Sequence, residues 1–336
     1  MKEEQVYSTL AACYQESLKY LLSHGRHVDS VVDPTSIASN WGTGGRPTRE
    51  ILGYSFQIEN PYSSLFYTEF RSIRLEYLFG LFIWTIAGSD EVEWLAYYHP
   101  FASTFSDDEK HLCGAFGKRL FKYKDAIDQI DTICERLSKD PCTRRAFCAI
   151  CTPEDNITQS REYPCCIGIQ YFVRDRQLHS ITHMRAQSAF GVLPYDAFLF
   201  MCLQNLLADR LGVLSGVYHH NAGTFHLYES EIEMAERVSI GNIEPISLGY
   251  IDSSERQLKE IYAFELEVRN ATLRNDHQQI ESLIRNQYDA STFWGVAKVA
   301  FLLHSLSRLG MGAEFQRLNT ELFTSLKKMS VSPDNS

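Results

Sequence analysis

Between Tyr163 and Tyr228 the chain sets out a succession of patterns that constrains its fold more than any other stretch. Ile167, Ile169, Tyr171 and Val173 alternate at a spacing of two, the period of a strand with one buried face. A polar break, Arg174-Asp175-Arg176-Gln177, leads into a second run, Leu178 to Ala186, and the two together predict a hairpin. Leu193-Pro194-Tyr195-Asp196 then opens an apolar helical stretch that ends near Leu211-Gly212. Pro194 suits a first helical turn, and Gly212 suits the position just past a helix end. The stretch closes on Ala222-Gly223-Thr224-Phe225-His226-Leu227-Tyr228.

The surroundings are those of a water-soluble globular chain. Of 336 residues, 44% are hydrophobic and 22% charged, enough for one large domain or two with a sizeable core. Lys plus Arg number 32 against 42 for Asp plus Glu, a formal charge of -10. That balance argues against broad nucleic-acid binding, while leaving room for a small arginine cluster around one phosphate. No apolar run has the length of a membrane helix, and Met1-Lys2-Glu3-Glu4-Gln5 does not read as a secretory signal. Nine cysteines without a regular framework fit a reducing compartment, so a cytoplasmic protein is expected. Cys148-Ala149-Ile150-Cys151 lacks a second pair at zinc spacing, so it reads as structural and no metal site is expected.

Taken in order, the first 25 residues carry an amphipathic pattern that predicts a helix, and Arg26 to Thr48 is loop-like. Ile51 to Ile58 reads as a strand. Phe70 onward opens a helix of large apolar residues in which Glu76 is out of character, since an unpaired buried carboxylate is costly. The bland alternative for Glu76 is an exposed i, i+4 ion pair. Another helix is predicted from Tyr123 to Leu137. Past Ser253 the pattern is helical throughout, over 255–270, 276–286, 292–309 and 312–327, before a polar end from Met329 to Ser336 that reads as disordered. We therefore expect a catalytic domain over 1–250 and a helical extension over 251–330, packed on it.

In their order and intervals, Pro164-Cys165, Gln170-Tyr171-Phe172-Val173, Arg185-Ala186, Leu193-Pro194-Tyr195-Asp196 and Gly223 to Tyr228 resemble the core of the thymidylate synthase family. There the pattern is a Pro-Cys nucleophile, a strand pair, an Arg-Ser phosphate pair, Leu-Pro-Phe-Asn and His-x-Tyr. Arg71-Ser72-Ile73 sets Glu76 on the family's Arg-Ser-Ile-x-x-Glu, and Asp140-Pro141 with Arg144-Arg145 matches its Asp-Pro-x-Ser-Arg-Arg. The resemblance covers about residues 40–230 and implies an α/β (α+β) fold, a central mixed sheet flanked by helices. It also implies a homodimer in which Arg144 and Arg145 cross to the partner's phosphate. Gly42 to Gly45 match a phosphate loop, but the arginines follow the glycines, so Arg46 is favoured over Arg49. Phe116 stands for a family tyrosine, Cys166 for a histidine, Ala186 for a serine and Ser188 for a folate-binding aspartate.

The resemblance implies a definite chemistry. A thiolate from Cys165 adds to C6 of a pyrimidine and turns C5 into a carbon nucleophile, activated by charge from Arg185 and Arg46. Carbon is delivered by 5,10-methylenetetrahydrofolate, Glu76 handles protons, and His226 with Tyr228 holds the sugar hydroxyl. Asp196 replaces an asparagine that serves uracil. A carboxylate accepts from the amino group of cytosine and stabilises a proton on N3, as in the family's cytidylate hydroxymethylases. The competing reading of Asp196 is a helix cap. Ala186 leaves room for a 2′-hydroxyl, which favours CMP over dCMP. The expected activity is folate-dependent hydroxymethylation at C5 of a cytidine nucleotide. The alternatives are a C5 methylase of dUMP or UMP and a non-catalytic nucleotide-binding descendant.

Overall fold

A computed structural model describes residues 5–29, 46–286 and 288–330. In chain order come β1 (Val6–Tyr7), α1 (Leu10–His24), β2 (Arg26–Val28), β3 (Thr48–Ile58), β4 (Leu65–Thr68), α2 (Leu75–Ile86) and α3 (Val92–Tyr98). Then follow α4 (Phe116–Phe121), α5 (Gln129–Lys139), β5 (Phe147–Ala149), β6 (Cys166–Arg174), β7 (Gln177–Ser188), α6 (Leu193–Arg210) and β8 (Leu214–Tyr228). After α7 (Ile232–Ile240) and β9 (Ile243–Ile246) the chain is helical, in α8 (Glu255–Leu273), α9 (His277–Arg285), α10 (Phe293–Arg308) and α11 (Gly312–Lys328).

The main sheet has seven strands, in the order β1-β3-β8-β7-β6-β5 with β2 beside β3; β4 and β9 form a separate ribbon. It is mixed: β7 and β8 are parallel, whereas β6 is antiparallel to β7 and β3 to β8. The hairpin of β6 and β7 turns through Asp175 and Arg176, both left-handed at φ 50° and 60°. Such a turn matches the twist of the paired strands. Parallel neighbours need a crossover, and α6 provides it, running from the end of β7 to the start of β8. Gly212, at φ 64°, closes α6 as the sequence predicts.

Nearly every side chain of α6 is buried. Its two buried amides are satisfied: Gln204 donates to the main-chain oxygens of Leu178 and Gly216, and Asn205 to that of Pro61. Phe198 of α6 meets Phe79 of α2 edge-on at 5.6 Å, and Phe79 meets Phe293 of α10 at 5.2 Å. One apolar core therefore runs from the sheet through α2 to the C-terminal helices. Within it Glu265 of α8 is fully buried. It accepts from Trp94 Nε1 at 3.0 Å, Tyr98 OH at 2.7 Å and Arg269 Nε at 2.8 Å, pinning α8 to α3. Among the described residues no helix covers the opposite face of the sheet: Gln170, Phe172, Ile181, His183, His219 and Asn221 are only half-buried, while the alternating Tyr171, Thr182 and Tyr218 are buried.

Several sequence expectations shift. The first helix starts at Leu10, where Thr9 accepts from Ala12 N at 3.2 Å. The helix expected from Tyr123 starts only at Gln129, capped by Asp128, because Lys124 and Asp125 adopt left-handed φ values of 49° and 57°. Ile167 is 44% exposed instead of sharing the buried face of Ile169 and Tyr171. A bulge between Cys166 and Gly168 turns it out, and its oxygen takes both Ile150 N and Cys151 N. Met329 and Ser330 are held against β9, with Ser247 N donating to Met329 O at 3.1 Å, while 331–336 lie outside the described residues.

Candidate active site

Strand directions gather the predicted residues at one end of the sheet. β6 and β3 begin there, β7 and β8 end there, and α6 starts beside them. This brings Cys165, Arg46, Arg185, Ala186, His226, Tyr228 and Asp196 into one neighbourhood, although 182 positions separate Arg46 from Tyr228 (228 − 46).

Cys165 is the last residue before β6. Arg185 fixes its loop from three directions: its N–H donates to Cys165 O at 2.8 Å, its Nε to Pro164 O at 3.0 Å and its Nη2 to Tyr163 O at 3.3 Å. The guanidinium is otherwise exposed, which suits an anion. Burial pushes the Cys165 thiol up to about 11; Arg185 opposes this, and the charges of Asp196 and Glu162 reinforce it. Of the two expected activating charges only Arg185 bears on the thiol here, and burial outweighs it. The resting sulfur is therefore a thiol at neutral pH, and its proton must leave as the nucleophile forms. Cys166 is buried with its Sγ toward Gly168 O, which leaves Cys165 as the accessible neighbour.

Asp196 lies in the first turn of α6 but caps nothing, since the N-cap is Val192 and no side chain makes the capping bond. It is 8% exposed, and the one hydrogen bond its side chain makes among the described residues is from Gln187 Nε2 to Oδ2 at 3.0 Å. Burial without a cation raises its carboxyl to about 7, with the Gln187 bond pulling the other way. The rings of Tyr77 and Tyr195 meet at a tilt beside it, 5.1 Å apart, and that of His99 lies 4.8 Å from Tyr77. Asp196 heads the charges that hold the Tyr77 hydroxyl above its usual range, after burial itself.

At the β3–β8 edge the Arg46 guanidinium lies 5.6 Å from the Tyr228 ring, and the His226 ring is 5.4 Å from Tyr228. Arg49 is instead drawn to Glu229 at 3.5 Å, so Arg46 is the arginine left for a ligand. The glycines expected to form the phosphate loop with it, Gly42 to Gly45, lie outside the described residues. Ala186 sits beside Thr224 of β8, and Ser188 Oγ accepts from Gly191 N at 3.3 Å.

Of the other predicted residues, Glu76 comes from α2, next to Tyr77, while Arg144 and Arg145 stand apart from this cluster. Glu76 opens α2, and its carboxylate is bound at 2.9 Å by Arg74 Nε, two residues earlier and not one turn on. Arg74 also donates to Tyr98 O, which anchors the pair. From α10, His304 feels the Glu76 carboxylate, though burial is what lowers its proton affinity first. Arg144 and Arg145 are not on a strand but in the turn before β5, and both are exposed. Tyr171 N donates to Ala146 O, which places these arginines about six strand residues, roughly 20 Å, from Cys165 of the same chain. Phe116 packs its ring on Phe200 at 5.8 Å, so core packing fills the place of the family's hydroxyl. Lys118 is paired with Asp125.

Three site residues escape sequence reasoning. Gln187 and Tyr77 sit beside named motif residues but on the buried side, where no motif marks them. Glu162, three positions before Cys165, takes Gly114 N at 3.3 Å and is raised by burial to about 7. Its nearness to the nucleophile is the signal that would have found it.

The sequence matches the thymidylate synthase family over residues 13–286, and the chain belongs to that family. The match extends beyond the 40–230 covered by the motifs at both ends and takes in α8 and α9. Among curated proteins, putative thymidylate synthases of Methanosarcina barkeri and Methanosarcina mazei are 28% and 29% identical over 126 residues. That is 38% of this chain and 58% of each relative. The deoxyuridylate hydroxymethyltransferase of Bacillus phage SP01 is 26% identical over 196 residues, 55% of this chain and 51% of the relative. The chain thus spans little more than half the length of the relatives it matches. No helix among the described residues is long and apolar enough to cross a membrane.

Proposed function

We propose that this protein transfers a one-carbon unit to C5 of a cytidine nucleotide, CMP ahead of dCMP, and releases a hydroxymethyl product. The observation that carries the base assignment is Asp196: a buried carboxyl near neutral proton affinity, free of any capping duty, with one oxygen uncommitted. Such a group shares a proton with cytosine N3 and accepts from the amino group. Arg46 and Arg185 would hold the phosphate, with Arg144 and Arg145 reaching it from a partner across the uncovered sheet face. His226 and Tyr228 would hold the sugar, and Ala186 leaves room at its 2′ position.

Cys165 gives up its proton as its sulfur bonds to C6. The electron pair displaced from the C5–C6 bond makes C5 nucleophilic. 5,10-Methylenetetrahydrofolate supplies the carbon when bound, and the aromatic wall of Tyr77, His99 and Tyr195 fits a flat heterocycle. C5 would bond to that carbon, and the C5 proton would pass to a base as the bond from the carbon to the folate nitrogen breaks, with the electron pair going to nitrogen. Glu76, steadied by Arg74, would order the water that adds to the exocyclic methylene left on C5. The returning electrons restore the C5–C6 bond and expel the Cys165 thiolate. No hydride is consumed. We read residues 1–250 as the catalytic unit and 251–330 as a helical layer built onto it.

A second reading, hydroxymethylation of a uracil nucleotide, draws support from the likeness to the phage deoxyuridylate hydroxymethyltransferase. Incubating CMP, dCMP and dUMP separately with methylenetetrahydrofolate and weighing the products decides between them. A gain of the hydroxymethyl mass on CMP is expected. Product from dUMP alone would reverse the base assignment, and no product from any nucleotide would favour a non-catalytic binder.

A further inference from the structure

Gln187 ends the buried face of β7 and is only 1% exposed. Its amide nitrogen donates to Asp196 Oδ2 at 3.0 Å and to Ser188 O at 3.4 Å, which employs both N–H bonds. Its amide oxygen, Oε1, is buried and has no hydrogen-bond donor among the described residues. Rotating the amide would not cure this, because it would set that oxygen against the main-chain oxygen of Ser188, an acceptor whatever the protonation of Asp196. A buried acceptor left alone costs about 1–3 kcal/mol, so this oxygen calls for a donor beyond those of the described residues.

Asp196 by itself does not separate the two bases in every protonation state. A neutral carboxyl offers one donor and one acceptor. It therefore complements N3 with an amino N–H in cytosine, and equally O4 with N3–H in uracil. A second acceptor beside it removes the ambiguity. Cytosine's amine carries two N–H bonds and can serve both oxygens, whereas uracil O4 brings only lone pairs and meets an oxygen with nothing to offer it.

We propose that Gln187 is a base-reading residue, its Oε1 accepting one N–H of the cytosine 4-amino group while Asp196 accepts the other. This rests on the cytosine reading above and goes beyond it by assigning recognition to two acceptors. In this arrangement the amide both holds Asp196 and completes its work.

The test is nucleotide binding by calorimetry without folate, in wild type and in Gln187→Met, which keeps the volume and removes the amide. CMP affinity should fall about ten- to hundredfold, one lost hydrogen bond to a buried donor, while UMP affinity stays within about threefold. Equal losses for both nucleotides, or none for either, would overturn the proposal and leave Gln187 as a support for Asp196. A measurement on wild type guards against a variant that does not fold. With CMP labelled by ¹⁵N at the amine, two slowly exchanging amino protons are expected in the complex. One slow proton and one that exchanges with solvent would also overturn it. If wild type binds UMP as tightly as CMP, the cytosine reading itself fails, and that result is visible before any substitution is made.

Discussion

Two buried carboxyl groups in this protein live under opposite conditions. Glu265, between α8 and α3, is enclosed by Trp94, Tyr98 and Arg269, whose guanidinium also lies 5.0 Å over the Trp94 ring. Asp196, at the mouth of α6, has a single amide neighbour and no cation, and burial raises it to about 7. A charge that is fully met locks two elements together and has nothing left to offer a ligand. A charge that is half met destabilises the resting chain and keeps an oxygen for something that arrives later. The stability of this fold and its chemistry are thus drawn from the same residue type by changing only the number of its partners.

Substitutions that remove the two kinds of group should separate cleanly. The largest effect belongs to the nucleophile of the half-met region. Cys165→Ser should cut turnover by at least about a thousandfold while its melting temperature stays near that of wild type. Product formation by a well-folded Cys165→Ser protein, followed by mass spectrometry, would remove the covalent route.

Glu265→Ala should do the reverse. It leaves Arg269, with a side chain only 15% exposed, without its counter-charge, and breaking such a buried pair costs about 3–5 kcal/mol. Urea denaturation should show that loss with little change in nucleotide affinity for the protein that remains folded. A loss below about 1 kcal/mol would mean that the cluster pins nothing.

Asp196→Asn is expected to lose function and gain stability. Because the carboxyl is raised from 3.8 to about 7 in the folded chain, the native state holds a proton that the unfolded state gives up. Wild-type stability therefore falls as pH rises from about 4 to about 7. Asn cannot ionise, so the variant should match wild type near pH 4 and exceed it above pH 7, by up to about 4 kcal/mol. The kcat/KM ratio for cytosine over uracil nucleotides should shift by about ten- to hundredfold at the same time. Parallel melting curves at pH 4 and pH 8 would show that Asp196 is not held in the state described here.

Arg144 represents a third condition, an exposed charge with no ion pair among the described residues. Mixed under subunit exchange, Arg144→Ala and Cys165→Ser proteins should recover about a quarter of wild-type activity, since half the dimers would be mixed and each would hold one intact site. No recovery, from dimers shown to exchange, would put both arginines outside the site.

Much of this was legible without coordinates. The alternation through β6, the break at Asp175-Arg176 and the Pro194 to Gly212 helix have local causes: side-chain period, turn geometry, and the missing N–H or Cβ at a helix end. The C-terminal helices lie where their patterns place them for the same reason. Cys165 and Asp196, the proposed nucleophile and base-reading acid, were marked by a resemblance carried by short motifs. What the chain order hides is partnership. That Glu76 is held by Arg74, that Phe116 is spent on Phe200, that Ile167 is turned out by a bulge and that Gln187 keeps an oxygen unpaired all depend on which atoms lie close after folding. Propensity and period describe one residue against its sequence neighbours. The number of partners a buried polar atom finds is set by strands and helices that arrive from elsewhere in the chain, and only the tertiary structure decides it.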